Sequence, residues 1–291
     1  MKAVSKILIA YDGSACADAA LNDLKRAGLP AALEAVVLTV ADVILPPPSD
    51  EVPEEELLIH TPAGIRHAQE HAEQAVKDAR ALAERAAGRV KASFPGWEVK
   101  AEARGDSPAW GLIKLADSLK ADLVVVGSHG HTVAGGRLIL GSVSQRVLYE
   151  ARCSVRVARC VEAGRVGPYR IVIGFNGSPD SERAVEAVAA RAWPEGSEAR
   201  IVTALAPEAQ VAPDAAADKM RAAGLSTSNV VRGGNPSHVL VEEAEGWGAD
   251  AVFVGTRDLH GFKHFLTGSV SSAVAARAHC SVEVVRGDST S

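Results

Sequence analysis

A chain of 291 residues has room for about two domains, and with 47% hydrophobic and 23% charged residues it can bury a core in each. Aromatic residues make up only 4%, so those cores must be packed by Ala, Val, Leu and Ile. The formal net charge of −5, with both signs mixed along the chain and no basic block, argues against a nucleic-acid partner, because phosphate backbones select basic faces. The first apolar run, Ile7 to Ala10, is too short for a secretory signal or a membrane span, so no membrane partner and a cytoplasmic location are expected. Cys16, Cys153, Cys160 and Cys280 form no CxxC pair and read as small buried hydrophobes in a reducing compartment.

In chain order, the pattern predicts strands near 6–11, 33–41, 97–104, 123–127 and 154–158. Helices are predicted near 15–27, 63–93, 108–119 and 142–151. The segment 63–93 carries apolar residues at helical spacing, from Ile65 through Ala72, Val76 and Ala83 to Val90. Ser14, and Ser178 further on, read as helix N-caps. Ser107-Pro108 and Asn235-Pro236 read as an N-cap followed by proline at the first helical position. Further strands are predicted near 170–175, 198–204, 226–232, 251–255 and 281–285.

The second set of strands is a copy of the first. Ile7-Leu8-Ile9-Ala10-Tyr11-Asp12-Gly13-Ser14 returns as Ile171-Val172-Ile173-Gly174-Phe175-Asn176-Gly177-Ser178. Arg104-Gly105 returns as Arg232-Gly233, and Cys153-Ser154-Val155 as Cys280-Ser281-Val282. The separation is 164 residues from Ile7 to Ile171 and 128 from Arg104 to Arg232, so the second copy is 36 residues shorter in between. Gly164, Gly167 and Pro168 interrupt the pattern between the copies, giving expected domains at 1–160 and 168–287. Five strands with intervening helices imply an α/β fold, two tandem doubly wound parallel sheets. With strand order 3-2-1-4-5, each sheet opens a ligand crevice between the ends of strands 1 and 4.

Both copies place chemistry at that crevice. Asp12 closes strand 1 and Gly127 closes strand 4; a polar loop then leads through Gly130 to Gly141-Ser142-Val143-Ser144. The same four residue types recur as Gly268-Ser269-Val270-Ser271, after a strand ending at Gly255. Glycines there permit close backbone approach and positive φ. A helix opening at Gly141-Ser142 offers free N–H groups and a hydroxyl to phosphate oxygens. Asp12 can accept from a ribose hydroxyl or help hold a divalent cation. The plainer reading is turn punctuation and an N-cap at Ser142; the duplication and the shared crevice favour the anion site.

On these residues the chain resembles the universal stress protein family, whose pattern after strand 4 is Gly, two residues, Gly, nine residues, Gly, then Ser or Thr, with an Asp ending strand 1. The resemblance covers roughly 4–159 and 168–286, as in a tandem member, and implies a Rossmann-like, adenine nucleotide alpha hydrolase-like fold. It implies ATP with Mg²⁺ as cofactors, Mg²⁺ being held through Asp12 with the phosphates. Ala10, Asp12 and Val40 would meet adenine and ribose. Gly127, His129, Gly130, Gly141, Ser142, Val143 and Ser144 would surround the phosphates. The corresponding second site comprises Gly174, Asn176, Ala204, Gly255, Arg257, Gly268, Ser269, Val270 and Ser271. That copy departs from the pattern: Asp258 replaces the second glycine and Asn176 replaces the strand-1 Asp, so weaker binding is expected there. The first copy has ten residues rather than nine between Gly130 and Gly141, with Gly135-Gly136 available to absorb one as a bulge.

Other features carry less. His67 and His71 lie four apart without an HExxH frame, and a solvated helix face explains them better than a metal. His129 and His131 flank Gly130, facing either phosphate or water; His260 and His264 read as exposed loop residues. The stretch from Pro46 to Glu56 reads as a solvated loop, with a flap over the crevice as its functional alternative. No nucleophile–base–orienter set is legible, so no catalytic residue is assigned. The expected protein is a non-catalytic, ATP-binding stress-response regulator. Its halves pack through strands 154–158 and 281–285, it forms a homodimer, and it acts on an unidentified protein partner. Slow ATP hydrolysis through Asp12 or His129, and a nucleotide-free interaction module, are the alternatives.

Overall fold

The structure, a computed structural model, describes residues 4–43, 63–129, 140–159, 167–205, 213–256 and 269–287, with backbone alone at 63–66, 205 and 269. Short apolar runs bounded by turns form the central strands. These are β1 (Lys6–Ala10), β4 (Leu123–Gly127), β5 (Ser154–Ala158), β6 (Arg170–Gly174), β9 (Ala251–Gly255) and β10 (Ser281–Val285). They are buried almost without alternation because helices cover both faces. The outer strands, β2 (Glu34–Ala41), β3 (Glu98–Gly105), β7 (Glu198–Leu205) and β8 (Ser226–Gly233), are longer, and β3 and β8 at the edges are more polar and more exposed.

The helices are α1 (Ala15–Leu24), α2 (Ala63–Ser93), α3 (Pro108–Leu119), α4 (Ser142–Glu150), α5 (Pro179–Ala189), α6 (Asp214–Ala222), α7 (Pro236–Trp247) and α8 (Ser269–Arg277). The expected span 15–27 runs past the regular helix: Lys25, Arg26 and Ala27 instead donate to the carbonyls three residues back, tightening the chain into Gly28 at φ +66°. The 36-residue shortfall of the second copy is visible in α6, which has 9 residues where α2 has 31. Ser14 and Ser178 cap their helices through side-chain oxygens. Asn235 does the same, whereas the Ser107 hydroxyl makes no cap bond and Asp106 takes the Ser107 N–H instead. Pro108 and Pro236 open their helices as expected.

The described strands form one ten-stranded sheet in the order β3-β2-β1-β4-β5-β10-β9-β6-β7-β8. Each half therefore has the order 3-2-1-4-5. Pairing is parallel within the halves and antiparallel where β5 meets β10, with Arg156 opposite Glu283. On one face a single apolar core runs through both halves, from Leu8 and Leu148 to Val252 and Val284. On the other face each half keeps its own core.

Between those two cores lies a buried polar cluster that the sequence reading did not find. Arg156 is fully buried and donates from Nε and Nη2 to Asp23 at 2.6 and 3.0 Å, and from Nη1 to Glu283 at 3.1 Å. Arg191 pairs with the other oxygen of Glu283, and Tyr169 and Ser281 complete the network. Two cations and two carboxylates alternate, so the charges that burial makes costly are each paired. The Arg156 guanidinium stays charged because the Asp23 and Glu283 carboxylates beside it outweigh its burial.

Candidate functional site

The carboxyl ends of β1 and β4 diverge because α1 and α4 leave them toward opposite faces of the sheet. β1 pairs β4 only from Ile7 to Ile9, and Tyr11 N–H then turns to the Leu38 carbonyl of β2 at 2.9 Å. The opening is a cavity of about 190 Å³. Its apolar floor comes from Ala10, Leu38, Val40, Leu112 and Val126; Asp12, His129, Ser142 and the helix start at Gly141 form its polar rim. All of the first-copy residues singled out in the sequence line this one cavity, apart from Gly130, which lies outside the described residues. Tyr11, Ala17, Leu38, Pro108, Leu112 and Val126 also line it and were not anticipated. Pro108 and Leu112 are four apart at the start of α3, and Leu38 and Val126 are late residues of strands flanking the crevice, signals that were available.

Helix α4 begins at Gly141, the N-cap, with no side-chain cap bond. Glycine has no side-chain oxygen to offer the first-turn amides, so no N-cap side chain occupies them at the cavity edge that Gly141, Ser142, Val143 and Ser144 line. Ser142 is the first helical residue rather than the cap, and its side chain is exposed. Ser144 is buried, and its hydroxyl donates to the Gly127 carbonyl at 2.6 Å, so it fastens α4 to β4. Gly141 N–H donates to Ser128 O at 2.8 Å, which brings the loop back to the strand end.

Of the two reasons expected for glycine at 127, close backbone approach holds and positive φ does not. A Cβ there would stand 2.8 Å from the backbone C and O of Cys16. The close approach is to the first turn of α1. Gly255 repeats it, with a Cβ that would run into the Asp180 carbonyl in the first turn of α5.

Asp12 is exposed at the cavity mouth, and its Oδ1 accepts from Ser14 N–H at 2.9 Å across Gly13 at φ +80°. Asp12 is the one carboxylate among the described cavity-lining residues, which suits a Mg²⁺ that takes most of its ligands from phosphates and water. His129 Nδ1 lies 3.2 Å from Ser128 Oγ, and burial, then the Arg159 charge, hold its imidazole below the ordinary value. Among the described residues no group of three or more His, Cys, Asp or Glu suits a metal ion, and His67 and His71 are exposed. Burial pushes the Cys153 and Cys280 thiols up to about 12, in keeping with unreactive packing; Cys160 lies outside the described residues.

The second copy differs in shape. Gly174 stands where Ala10 does, and a Cβ on it would meet Val254 at 3.0 Å and Leu240 at 3.1 Å, so their side chains occupy that corner. Val40 and Gly111 of the first copy correspond to Ala204 and Val239 of the second: the bulk has moved from the strand to the helix. Asn176 Oδ1 is occupied by Ser178 N–H and Oγ at 3.1 and 2.6 Å. Gly255 ends β9 and α8 begins at Ser269, with Val270 half-buried and Ser271 buried behind it. Arg257, Asp258 and Gly268 lie outside the described residues, as do His131, Gly135, Gly136, His260, His264 and the stretch from Pro46 to Glu56.

The model of the universal stress protein family matches residues 3–159 and 208–286. The strands β6 and β7 fall between the two matches, although the structure repeats β1 and β2 there. A universal stress protein of Mycolicibacterium smegmatis is 30% identical, covering 96% of each chain. One from Mycobacterium tuberculosis is 29% identical, also over 96% of each. The crystal structure of a universal stress protein from Archaeoglobus fulgidus superposes with a TM-score of 0.69 at 21% identity, covering 97% of this chain and 98% of that one, which shows the shared fold. Matched over most of its length, this chain belongs to the universal stress protein family.

Proposed function

We propose that the first-half cavity binds an adenine nucleotide, ATP with Mg²⁺, and that the protein is a nucleotide-responsive regulator in the cytoplasm without dedicated catalysis. The observation that carries this reading is the start of α4: a helix whose N-cap, Gly141, offers no side-chain cap lines the same apolar-floored cavity as Asp12. A base would lie on that floor, a ribose hydroxyl would reach Asp12, and phosphates would sit at the helix N-terminus, where partial positive charge and free donors coincide. Mg²⁺, when bound, neutralises phosphate charge; Asp12 supplies the one carboxylate for it. The second crevice, crowded by Leu240 and Val254 and lacking the Asp12 carboxylate, binds more weakly in this reading.

Nucleotide binding would order the residues around Gly127 and Gly141 and so change the surface offered to a protein partner. The edges of β5 and β10 are paired with each other, so a homodimer would use other surfaces. No helix among the described residues is long and apolar enough to cross a membrane. The test is equilibrium dialysis with labelled ATP, together with mass spectrometry of small molecules released on denaturation. Saturable binding near one nucleotide per chain is expected; no binding at millimolar ATP contradicts the proposal. The hydrolytic reading needs a group that positions water, and single-turnover assays of Asp12→Ala and His129→Ala decide it.

A further inference from the structure

The last helix of each half is held at its carboxyl end by the opposite half, and α4 also has its amino end at the cavity. Arg286, the residue after β10, crosses the junction: it donates to the Cys153 carbonyl from Nη1 at 3.1 Å and to the Leu148 carbonyl from Nη2. Its backbone N–H donates to Ser154 Oγ at 3.1 Å. Arg159, the residue after β5, does the same in reverse. It reaches the Ala275 and Ala276 carbonyls at 2.6 and 3.1 Å, and its N–H donates to Ser281 Oγ at 3.3 Å. The two arginines are 127 residues apart, as are Leu148 and Ala275 and as are Ser154 and Ser281, so these two bonds of each arginine are copies related by the duplication, whereas the contacts to Cys153 and Ala276 are not equivalent. Both arginines are buried, at 6% and 3% exposure.

The physical consequence is specific. Leu148 lies in the last turn of α4, where a cation complements the helix dipole. At nine residues, α4 is too short to be stable on its own and depends on tertiary contacts. Its amino end is the candidate phosphate cradle; its carboxyl end is latched by an arginine of the other half.

We infer that Arg286 is a positioning residue for the first-half cradle: through the Leu148 and Cys153 carbonyls it fixes α4, so the anion-binding end in one half is completed by the other. The inference rests on the nucleotide reading for its binding readout and stands apart from it for its dynamic one. Two measurements on the full chain test it, with the parent, Arg286→Met and the milder Arg286→Lys. Amide hydrogen exchange without ligand should rise in residues 142–146 of Arg286→Met while 269–273, at the start of α8, stay within about twofold of the parent. Arg159→Met should give the reverse pattern. ATP affinity of Arg286→Met should fall about 5-fold or more, the size expected for a partly buried helix-terminal cation, with Arg286→Lys between it and the parent. Exchange raised equally at both helix starts, or unchanged at 142–146, overturns the inference; so does an ATP affinity within twofold of the parent. If the parent binds no ATP, the nucleotide proposal fails, and the exchange pattern still decides the latch. If Arg286→Met does not fold, Arg286→Lys carries both readouts.

Discussion

Ser142→Asp separates an anion site from an ordinary helix start, because the two make opposite demands on the same atom. Ser142 is exposed at the first position of α4, so the substitution fits without repacking. In the absence of ligand a carboxylate there complements the helix dipole and should stabilise the fold by about 0.3–1 kcal/mol, raising the melting midpoint by roughly 1–3 °C. With a phosphate seated on the helix, the new charge stands about 5 Å from a like charge. At an effective dielectric of about 20 that repulsion is about 3 kcal/mol, more than a hundredfold in affinity. Calorimetric titration with ATP and Mg²⁺, beside a thermal melt of the free protein, reads both quantities. Binding weakened by two orders of magnitude in a protein that melts no lower than the parent is the expected result. Binding changed by less than threefold refutes the placement of phosphate at α4.

Three further outcomes follow from the packing. Arg156→Met takes from buried Asp23 its paired cation and leaves Glu283 with Arg191, which should cost about 3–5 kcal/mol and lower the melting midpoint by on the order of 10 °C; a drop under 2 °C would show that the cluster is solvated. Gly127→Ala forces a Cβ against the Cys16 backbone and should destabilise by about 1–3 kcal/mol in urea unfolding even without ligand, whereas a residue needed only for nucleotide approach would leave stability unchanged. For His129 the folded value is depressed, so the folded form disfavours protonation. Its contribution to stability is complete above the unfolded value of about 6.5 and is lost as pH falls through that region. Histidine resonances followed by NMR should place His129 below 6.5 in the free protein and higher with ATP bound, since an anion favours the imidazolium; an unmoved midpoint places the phosphates elsewhere.

Much of the architecture is legible in the residues because the local signals agree with one another. The runs Leu123–Gly127 and Ser154–Ala158 are bounded by turn residues, and helix 63–93 keeps one apolar stripe, so their limits match those expected. The duplication makes every element readable twice, and the strand-end glycines point to the crevice. What stayed hidden is set by distances across the fold. Gly127 suggests room for a ligand, yet the structure uses that room for the α1 backbone, which no local pattern reveals. Arg156 and Glu283 look like ordinary polar positions in short strands, and Asp23 and Arg191 like helix-surface charges. They meet only because β5 and β10 pair across the junction. The arginine latches escaped for the same reason: Arg159 and Arg286 lie just past strands that pair on one side with the other half.

The most direct test of the account is an NMR titration that follows the backbone amides of Ser142, Val143 and Ser144 as ATP with Mg²⁺ is added to the intact chain. These three amides should shift and saturate at one nucleotide per chain, ahead of Val270 and Ser271 in the second copy. Unmoved amides at 142–144 up to millimolar nucleotide, or saturation at 270–271 first, would contradict it.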